Sequence, residues 1–351
     1  MRASVAIAAF NGEKYIEKQL ESILNQTMLP YEIIISDDGS QDNTVPVIQQ
    51  FIESRRETIT QGSVHTRVIV NNGRHGVCGN FENAFMHTTG DVVFLCDQDD
   101  IWFPEKIEKV LYIMEKRPEN VLLHDAEAFK EENGKMIMLN YRLMKLAKPE
   151  GESVWKLDRS DYLPSVFNYC IIQGMCICIR REYLMKILPI CKAANHDDWI
   201  LFCACADNSL IVLNESLAYY RIHGSNTVGI SEYKKKRSII KKLETFDMQG
   251  KKSIRGRYIW FKDTISYTGE CPNDEIRQRY EFFTKRRIEY LSGRKILSTL
   301  NLLRADKRGV YKRDGKITLI HDLYFLWRYS RRYRVQFMSN LDEELRANSV
   351  I

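Results

Sequence analysis

Chemistry can first be read in this chain where an apolar run ends in three carboxylates. Val92, Val93, Phe94, Leu95 and Cys96 follow Gly90-Asp91 and read as a short buried strand, after which the chain runs Asp97-Gln98-Asp99-Asp100. Acids at the carboxyl end of such a strand stand where open α/β sheets bind ligands. Hard cations such as Mg2+ or Mn2+ take oxygen ligands, typically one or two carboxylates completed by phosphate oxygens. A metal held against a diphosphate is one reading of the cluster. The other is structural, with the acids ahead of Ile101-Trp102-Phe103-Pro104 capping a helix that starts at Pro104.

Three more stretches carry candidate groups. Asp37-Asp38-Gly39-Ser40 offers carboxylates in a sequence that also suits a turn. Asn195-His196-Asp197-Asp198-Trp199 places two acids at the start of an apolar segment, where a helix dipole favours negative charge. Arg221 and His223 precede Gly224-Ser225-Asn226. The glycines at 73, 76 and 79 lack the Gly-x-Gly-x-x-Gly spacing and make no dinucleotide fingerprint; Arg74 among them suits a solvated loop or a nucleotide contact equally. The nine cysteines include no Cys-x-x-Cys pair. Cys176/Cys178 and Cys203/Cys205 lie in apolar surroundings and read as reduced core thiols, which fits a reducing cytoplasm.

The elements that must position these groups alternate. Strands are expected at Ser4–Phe10, Tyr31–Ser36, Thr66–Val70, Val92–Cys96 and Val121–Leu123. Amphipathic helices are expected at Glu13–Gln26, Thr44–Arg55, Asn80–His87 and Pro104–Lys116. Lys130–Lys156 reads as loops, Cys170–Arg180 as a strand, His196–Ala206 as a helix and Leu210–Arg221 as a strand. The pattern predicts an α/β class with a doubly wound, mixed but mostly parallel sheet. A boundary is expected near residue 230, separating 1–230 (halves 1–104 and 105–230) from a basic, mainly helical region at 231–351.

Of the 351 residues, 44% are hydrophobic and 28% charged, as in ordinary globular proteins. No apolar run approaches the ~20 residues of a membrane span, and the N-terminal stretch is too short for a secretory signal. The net charge of +6 is uneven, with Lys234–Arg237, Lys241-Lys242, Lys251-Lys252, Arg286-Arg287 and Arg331-Arg332 all beyond residue 230. That asymmetry suits an anionic partner, such as the cytoplasmic face of a membrane. Basic helices packed on a catalytic domain would look much the same. No nucleic-acid motif accompanies the charge, so no nucleic-acid partner is expected.

Taken in order, Ser4–Glu13, Ile34–Asp42, Asp97–Pro104, Asn195–Trp199 and Tyr220–Asn226 resemble the family-2 glycosyltransferases of GT-A fold, in particular their bacterial rhamnosyltransferase-like members. The resemblance covers roughly the first 230 residues. It implies transfer of one sugar, with inversion, from a UDP- or dTDP-sugar to a saccharide acceptor, lipid-linked and destined for a surface polysaccharide. Rhamnose, galactose and glucose are all compatible donors. The implied cofactor is Mn2+ or Mg2+.

By the same resemblance Ala8, Phe10, Asn11, Glu13, Asp38 and Asp97 would contact the nucleotide, with Asp38 accepting the imide N–H of uracil or thymine. Asp99 would ligate the metal, joined by Asp97 and by His223. Asp197 would be the general base, with Asp198 as the alternative, because the second acid departs from the closest pattern. Gln173, Gly174 and Trp199 would line the acceptor side, and Arg221 would pair with phosphate. Asp100 is left to cap the next helix. Two rival classes stay in view: a nucleotidyltransferase, disfavoured by Asn11-Gly12-Glu13-Lys14 where a Gly-rich, Arg-containing signature belongs, and a non-catalytic membrane-surface scaffold.

Overall fold

The computed structural model describes residues 1–144, 149, 151–157, 173–192, 194–223, 267, 287–307, 322, 323, 326, 327, 330–332, 334–336 and 339. The chain divides into two compact units, residues 1–190 with 195–233 and residues 191–194 with 234–351.

In the first unit, one sheet contains β1 (Ala3–Ala9), β2 (Glu32–Asp37), β3 (His65–Val70), β4 (Val92–Asp97), β5 (Ile101–Trp102), β6 (Val121–Glu132), β7 (Lys135–Arg142), β8 (Val154–Lys156), β9 (Ile177–Arg180) and β10 (Leu210–Arg221). The strand order is β3-β2-β1-β4-β9-β6-β10-β5, with β7 on β6 and β8 on β10. Strands β3, β2, β1 and β4 are parallel neighbours, β6 is parallel to β10, and β9 runs antiparallel between β4 and β6. Residues 5–7, 33–35 and 92–96 are fully or almost fully buried, as near-continuous apolar strands in a parallel sheet should be. The helices are α1 (Ile16–Leu24), α2 (Thr44–Ser54), α3 (Arg56–Gln61), α4 (Val77–Met86), α5 (Lys106–Lys116), α6 (Arg181–Ile187) and α7 (His196–Ala206). Every residue of α7 is buried, so its length is set by packing rather than by an amphipathic stripe.

Three expectations need correction. Lys130–Lys156 is not all loop: β6 runs to Glu132 and turns back as β7 through Asn133 and Gly134, whose φ angles of 52° and 73° are those of a tight hairpin turn. The alternation was hidden because β7 exposes Met136, Ile137 and Met138 and so lacks a buried face. The helix expected at Pro104 begins at Lys106, and Ile101-Trp102 instead pair with Tyr219 and Ala218 of β10. Of the expected strand at Cys170–Arg180, only Ile177–Arg180 is extended; Gly174–Cys176 is a 3-10 turn, and 170–172 lie outside the described residues.

In the second unit, α8 (Arg287–Ser292) and α9 (Lys295–Lys307) are described. The guanidinium of Arg334 gathers the carbonyls of Leu291, Gly293 and Leu326 at 2.7, 2.7 and 3.0 Å. The basic clusters at 234–237, 241–242 and 251–252 lie outside the described residues.

At the amino end of β2, Glu32 is 3% exposed and accepts hydrogen bonds from Ser4 Oγ at 2.5 Å, Thr89 Oγ1 at 3.1 Å and the Gly90 N–H at 3.1 Å. This ties β1 and β2 to the turn before β4. Replacing Glu32 with Ala strands those donors and is expected to lower stability by about 1–3 kcal/mol, read from the urea midpoint.

Candidate active site

The carboxyl ends of β1, β2 and β4 lie side by side, because Ala8 pairs in register with both Ser36 and Asp97. The loop after β2 divides its two acids. Asp37 is buried and closes the turn, accepting the N–H groups of Gly39 and Ser40 at 3.1 and 3.0 Å and Ser40 Oγ at 2.5 Å. Asp38 looks the other way. Its Oδ1 accepts Asn71 Nδ2 at 2.7 Å and lies 2.9 Å from His75 Nδ1, and its Oδ2 accepts the Gly76 N–H at 2.7 Å. The glycine-rich loop therefore packs around Asp38. Gly79 keeps it close, since a Cβ there would stand 1.6 Å from the Arg74 carbonyl oxygen. Arg74 itself turns to Glu82, 3.3 Å away, and to the Ile190 carbonyl.

Phe10 is 49% exposed at the end of β1. Asn11, at a φ of 48°, donates its N–H to Ser40 Oγ and accepts the Gln41 N–H. Glu13 is placed differently from the expectation of a nucleotide contact: its carboxylate accepts both the N–H and the side-chain amide of Asn43 at 2.9 Å, bracing one loop against another.

The acid cluster splits by partner. Asp100 is fully buried and does not cap α5; its Oδ1 accepts the Arg221 N–H at 2.9 Å, and its Oδ2 has no hydrogen-bond partner among the described residues. Burial, with Asp99 and Asp97 nearby, holds its carboxyl well above the usual carboxylate range. Burial also pushes Asp97 up to about 7, helped by the charges of Asp99 and Asp197 and opposed by Lys106. Lys106 is fully buried, donates to the Met175 carbonyl at 2.9 Å and lies 3.8 Å from the centroid of the Trp102 ring. His223 Nε2 stands 2.7 Å from Asp99 Oδ2, and its ring stacks on Tyr15.

Arg221, expected to pair with phosphate, is engaged within the protein. At 1% exposure it is not available to a phosphate; it donates from Nε to the Asp99 carbonyl at 2.7 Å, pairs with Glu131 and lies over the rings of Tyr15 and Phe129. It holds the acid loop rather than a ligand.

The start of α7 supplies the remaining acids. Asp197 and Asp198 are 6% and 3% exposed, and Asp197 Oδ1 accepts the Asp198 N–H at 2.8 Å. Asp197 is close enough to oppose the ionisation of Asp97, so the helix start and the end of β4 share one electrostatic site. Gly174 lies against this start, where a Cβ would meet His196 Nε2 at 2.4 Å; half-buried Gln173 precedes it. Trp199, expected on the acceptor side, is 5% exposed, stacks on Phe202 and donates Nε1–H to the Ile187 carbonyl at 2.8 Å.

Sequence reasoning missed Gln98, Gly12 and the Asn71-His75-Gly76 cradle of Asp38. The local signals were a glycine soon after the first strand, whose counterpart lies 86 positions away, and the glycines at 73, 76 and 79.

The donor set fits a hard divalent cation. Among the described residues, no three His, Cys, Asp or Glu side chains hold an ion by themselves. What is present is a concentration of carboxylates, partly buried and mutually repelling, which phosphate oxygens and water would complete. Asp99 and Asp97 would hold the ion, with His223 against Asp99.

The Glycosyl transferase family 2 model matches residues 4–188, and the chain belongs to that family. An uncharacterised glycosyltransferase of Nostoc sp. is 29% identical over 229 residues, covering 64% of this chain and 66% of the relative. The UDP-Glc:alpha-D-GlcNAc-diphosphoundecaprenol beta-1,3-glucosyltransferase WfgD of Escherichia coli is 29% identical over 113 residues, covering 32% of this chain and 41% of its own. The chain thus spans less than two thirds of the length of these relatives. In fold it is similar to TarS of S. aureus, with a TM-score of 0.54 at 15% identity over 92% of this chain and 55% of TarS. A TarS 1-349 structure in complex with UDP-GlcNAc gives 0.51 at 15% identity, covering 99% of this chain and 92% of that one. The architecture is that of the GT-A glycosyltransferases.

With burial pushing the Asp97 carboxyl up to about 7, and a cation needing the carboxylate, Mn2+ binding is expected to strengthen as pH rises from 6 to 8. The dependence should approach about tenfold per pH unit on the acid side, with proton release visible as buffer-dependent heat in titration calorimetry.

Proposed function

We propose that the protein is an inverting, metal-dependent glycosyltransferase that moves one sugar from a UDP- or dTDP-sugar to a saccharide acceptor. The observation that carries this reading is the placement of Asp97 and Asp99 at the carboxyl end of β4, with Asp197 at the start of α7 within electrostatic reach of Asp97. Asp197 takes the proton from an acceptor hydroxyl, whose oxygen attacks the anomeric carbon as the nucleoside diphosphate leaves. One displacement on the face opposite the leaving group inverts the configuration. A divalent cation held by Asp99 and Asp97 would neutralise charge gathering on the departing diphosphate.

Hydrogen-bond accounting at Asp38 supports a pyrimidine imide. A carboxylate has about four acceptor sites. Two on Oδ1 face Asn71 and His75 and one on Oδ2 is filled by Gly76, which leaves a single site on Oδ2. Uracil and thymine present one imide N–H, whereas guanine presents two adjacent donors that call for a two-oxygen edge.

Rhamnose is the sugar suggested by the motif order, with galactose and glucose as further compatible donors. A lipid-linked saccharide is the acceptor class, in keeping with the diphosphoundecaprenol in the name of WfgD. For presentation of such an acceptor we propose peripheral binding to the cytoplasmic face of the membrane through the C-terminal region. Supporting this, Ile296, Leu297, Leu300 and Leu303 are all exposed on α9, beside Lys295 and half-exposed Trp327. No helix among the described residues is long and apolar enough to cross a membrane.

A hydrolysis and transfer screen of nucleotide sugars, with and without EDTA, tests the reading. Asp99→Ala and Asp197→Ala should each reduce transfer by at least about a thousandfold, the scale of losing an essential charge or base. Only Asp99→Ala should also weaken Mn2+-dependent UDP or dTDP binding. Retained transfer in Asp197→Ala would move the base to Asp198. Flotation with anionic liposomes tests the membrane reading, and protein left at the bottom of the gradient would refute it.

A further inference from the structure

Gln98 stands between Asp97 and Asp99, yet its amide is engaged elsewhere. Its Oε1 accepts the Phe10 N–H and its Nε2 donates to the Phe10 carbonyl, each at 2.9 Å. Exchange of both bonds with one residue is the pairing of an antiparallel bridge, made here by a side chain. It joins the carboxyl end of β1 to the loop that carries the acids. Gly12 leaves room for it, since a Cβ there would stand 2.1 Å from Oε1 and 2.4 Å from the amide carbon. The Gly12 backbone is not left-handed, so what a side chain at this position would disturb is the Gln98 amide, which it would displace, and not the local conformation.

We propose that Gln98 is a positioning residue that locks the acid loop to the end of β1, so that cation and nucleotide bind as one coupled event. The inference rests on the nucleotide reading given above. Phe10 and Asn11 lie on one side of the clasp and Asp97 and Asp99 on the other, and a diphosphate bound to a cation must satisfy both sides together. With the clasp closed the two sides are already in register, which spares part of the ordering cost of binding. With it open, the nucleotide still finds Asp38 and the β1 end, but the acids no longer meet the phosphates pre-set. The clasp therefore acts on the advantage that the cation confers.

The test is calorimetric titration of UDP, with and without Mn2+, into the wild type, Gln98→Ala, Gly12→Ala and the double variant. Each single substitution is expected to cut the Mn2+-dependent gain in UDP affinity by about tenfold, within the range measured for coupled contacts. Metal-free UDP affinity should stay within about twofold in all four proteins, on the same argument. The double variant should be no worse than Gln98→Ala, because the methyl group added at position 12 then has no amide to displace. Gln98→Met, which keeps the length and removes the hydrogen bonds, should behave like Gln98→Ala. The proposal is overturned by losses that multiply in the double variant, by an equal fall in metal-free affinity, or by a normal Mn2+ gain in Gln98→Met. A wild type that binds neither UDP nor dTDP with Mn2+ overturns the functional reading itself, and this inference with it.

Discussion

The structure depends on a concentration of carboxylates held at the end of β4, each tied to a neighbouring element. Asp97, Asp99 and Asp100 follow one another on or after a fully buried strand, and Asp197 approaches from α7. Like charges in a poorly solvated place repel, and an isolated fold would not gather them without compensation. Among the described residues the compensation includes Lys106 nearby, the Arg221 N–H on Asp100 and His223 on Asp99.

Arg221 shows how that arrangement is made. Its side chain spans the Asp99 carbonyl and Glu131 and is covered by two aromatic rings, while its backbone N–H holds Asp100. One residue at the end of β10 thus fixes both the direction and the protonation environment of the acid loop. Tyr15, placed just before α1, covers Arg221 and stacks on His223. The same economy holds after β2: Asp37 commits its carboxylate to its own turn, and Asp38 organises the 71–76 loop.

Much of the first unit was legible in the sequence. β1, α1, β2, α2, α4, α7 and β10 are visible in apolar spacing, because each buries a face or most of its length, and β3 is visible as a β-branched run although none of its residues is buried; α3, which buries no residue, was not legible. The short β5 and the edge hairpin were not, since Ile101-Trp102 needs a partner more than a hundred positions away and β7 buries no face of its own. The candidate acids were legible as types in positions, at strand ends and a helix start. Their division of labour was not. Arg221 and Trp199 looked like ligand contacts because polar and aromatic side chains near a site suit either role, and only burial distinguishes the two.

The order of the motifs therefore determined the family, the strand-end placement of Asp38, Asp97 and Asp99, and the helix-start placement of Asp197. These follow from local periodicity and from the chemistry of each side chain. Tertiary structure alone decided that Asp100 faces β10, that Arg221 is an internal clasp, and that Gln98 fills the space Gly12 leaves open. The reason is physical: a hydrogen bond or a charge pair between residues distant along the chain leaves no periodic trace in either segment. It exists only once the sheet has brought the ends of its strands together.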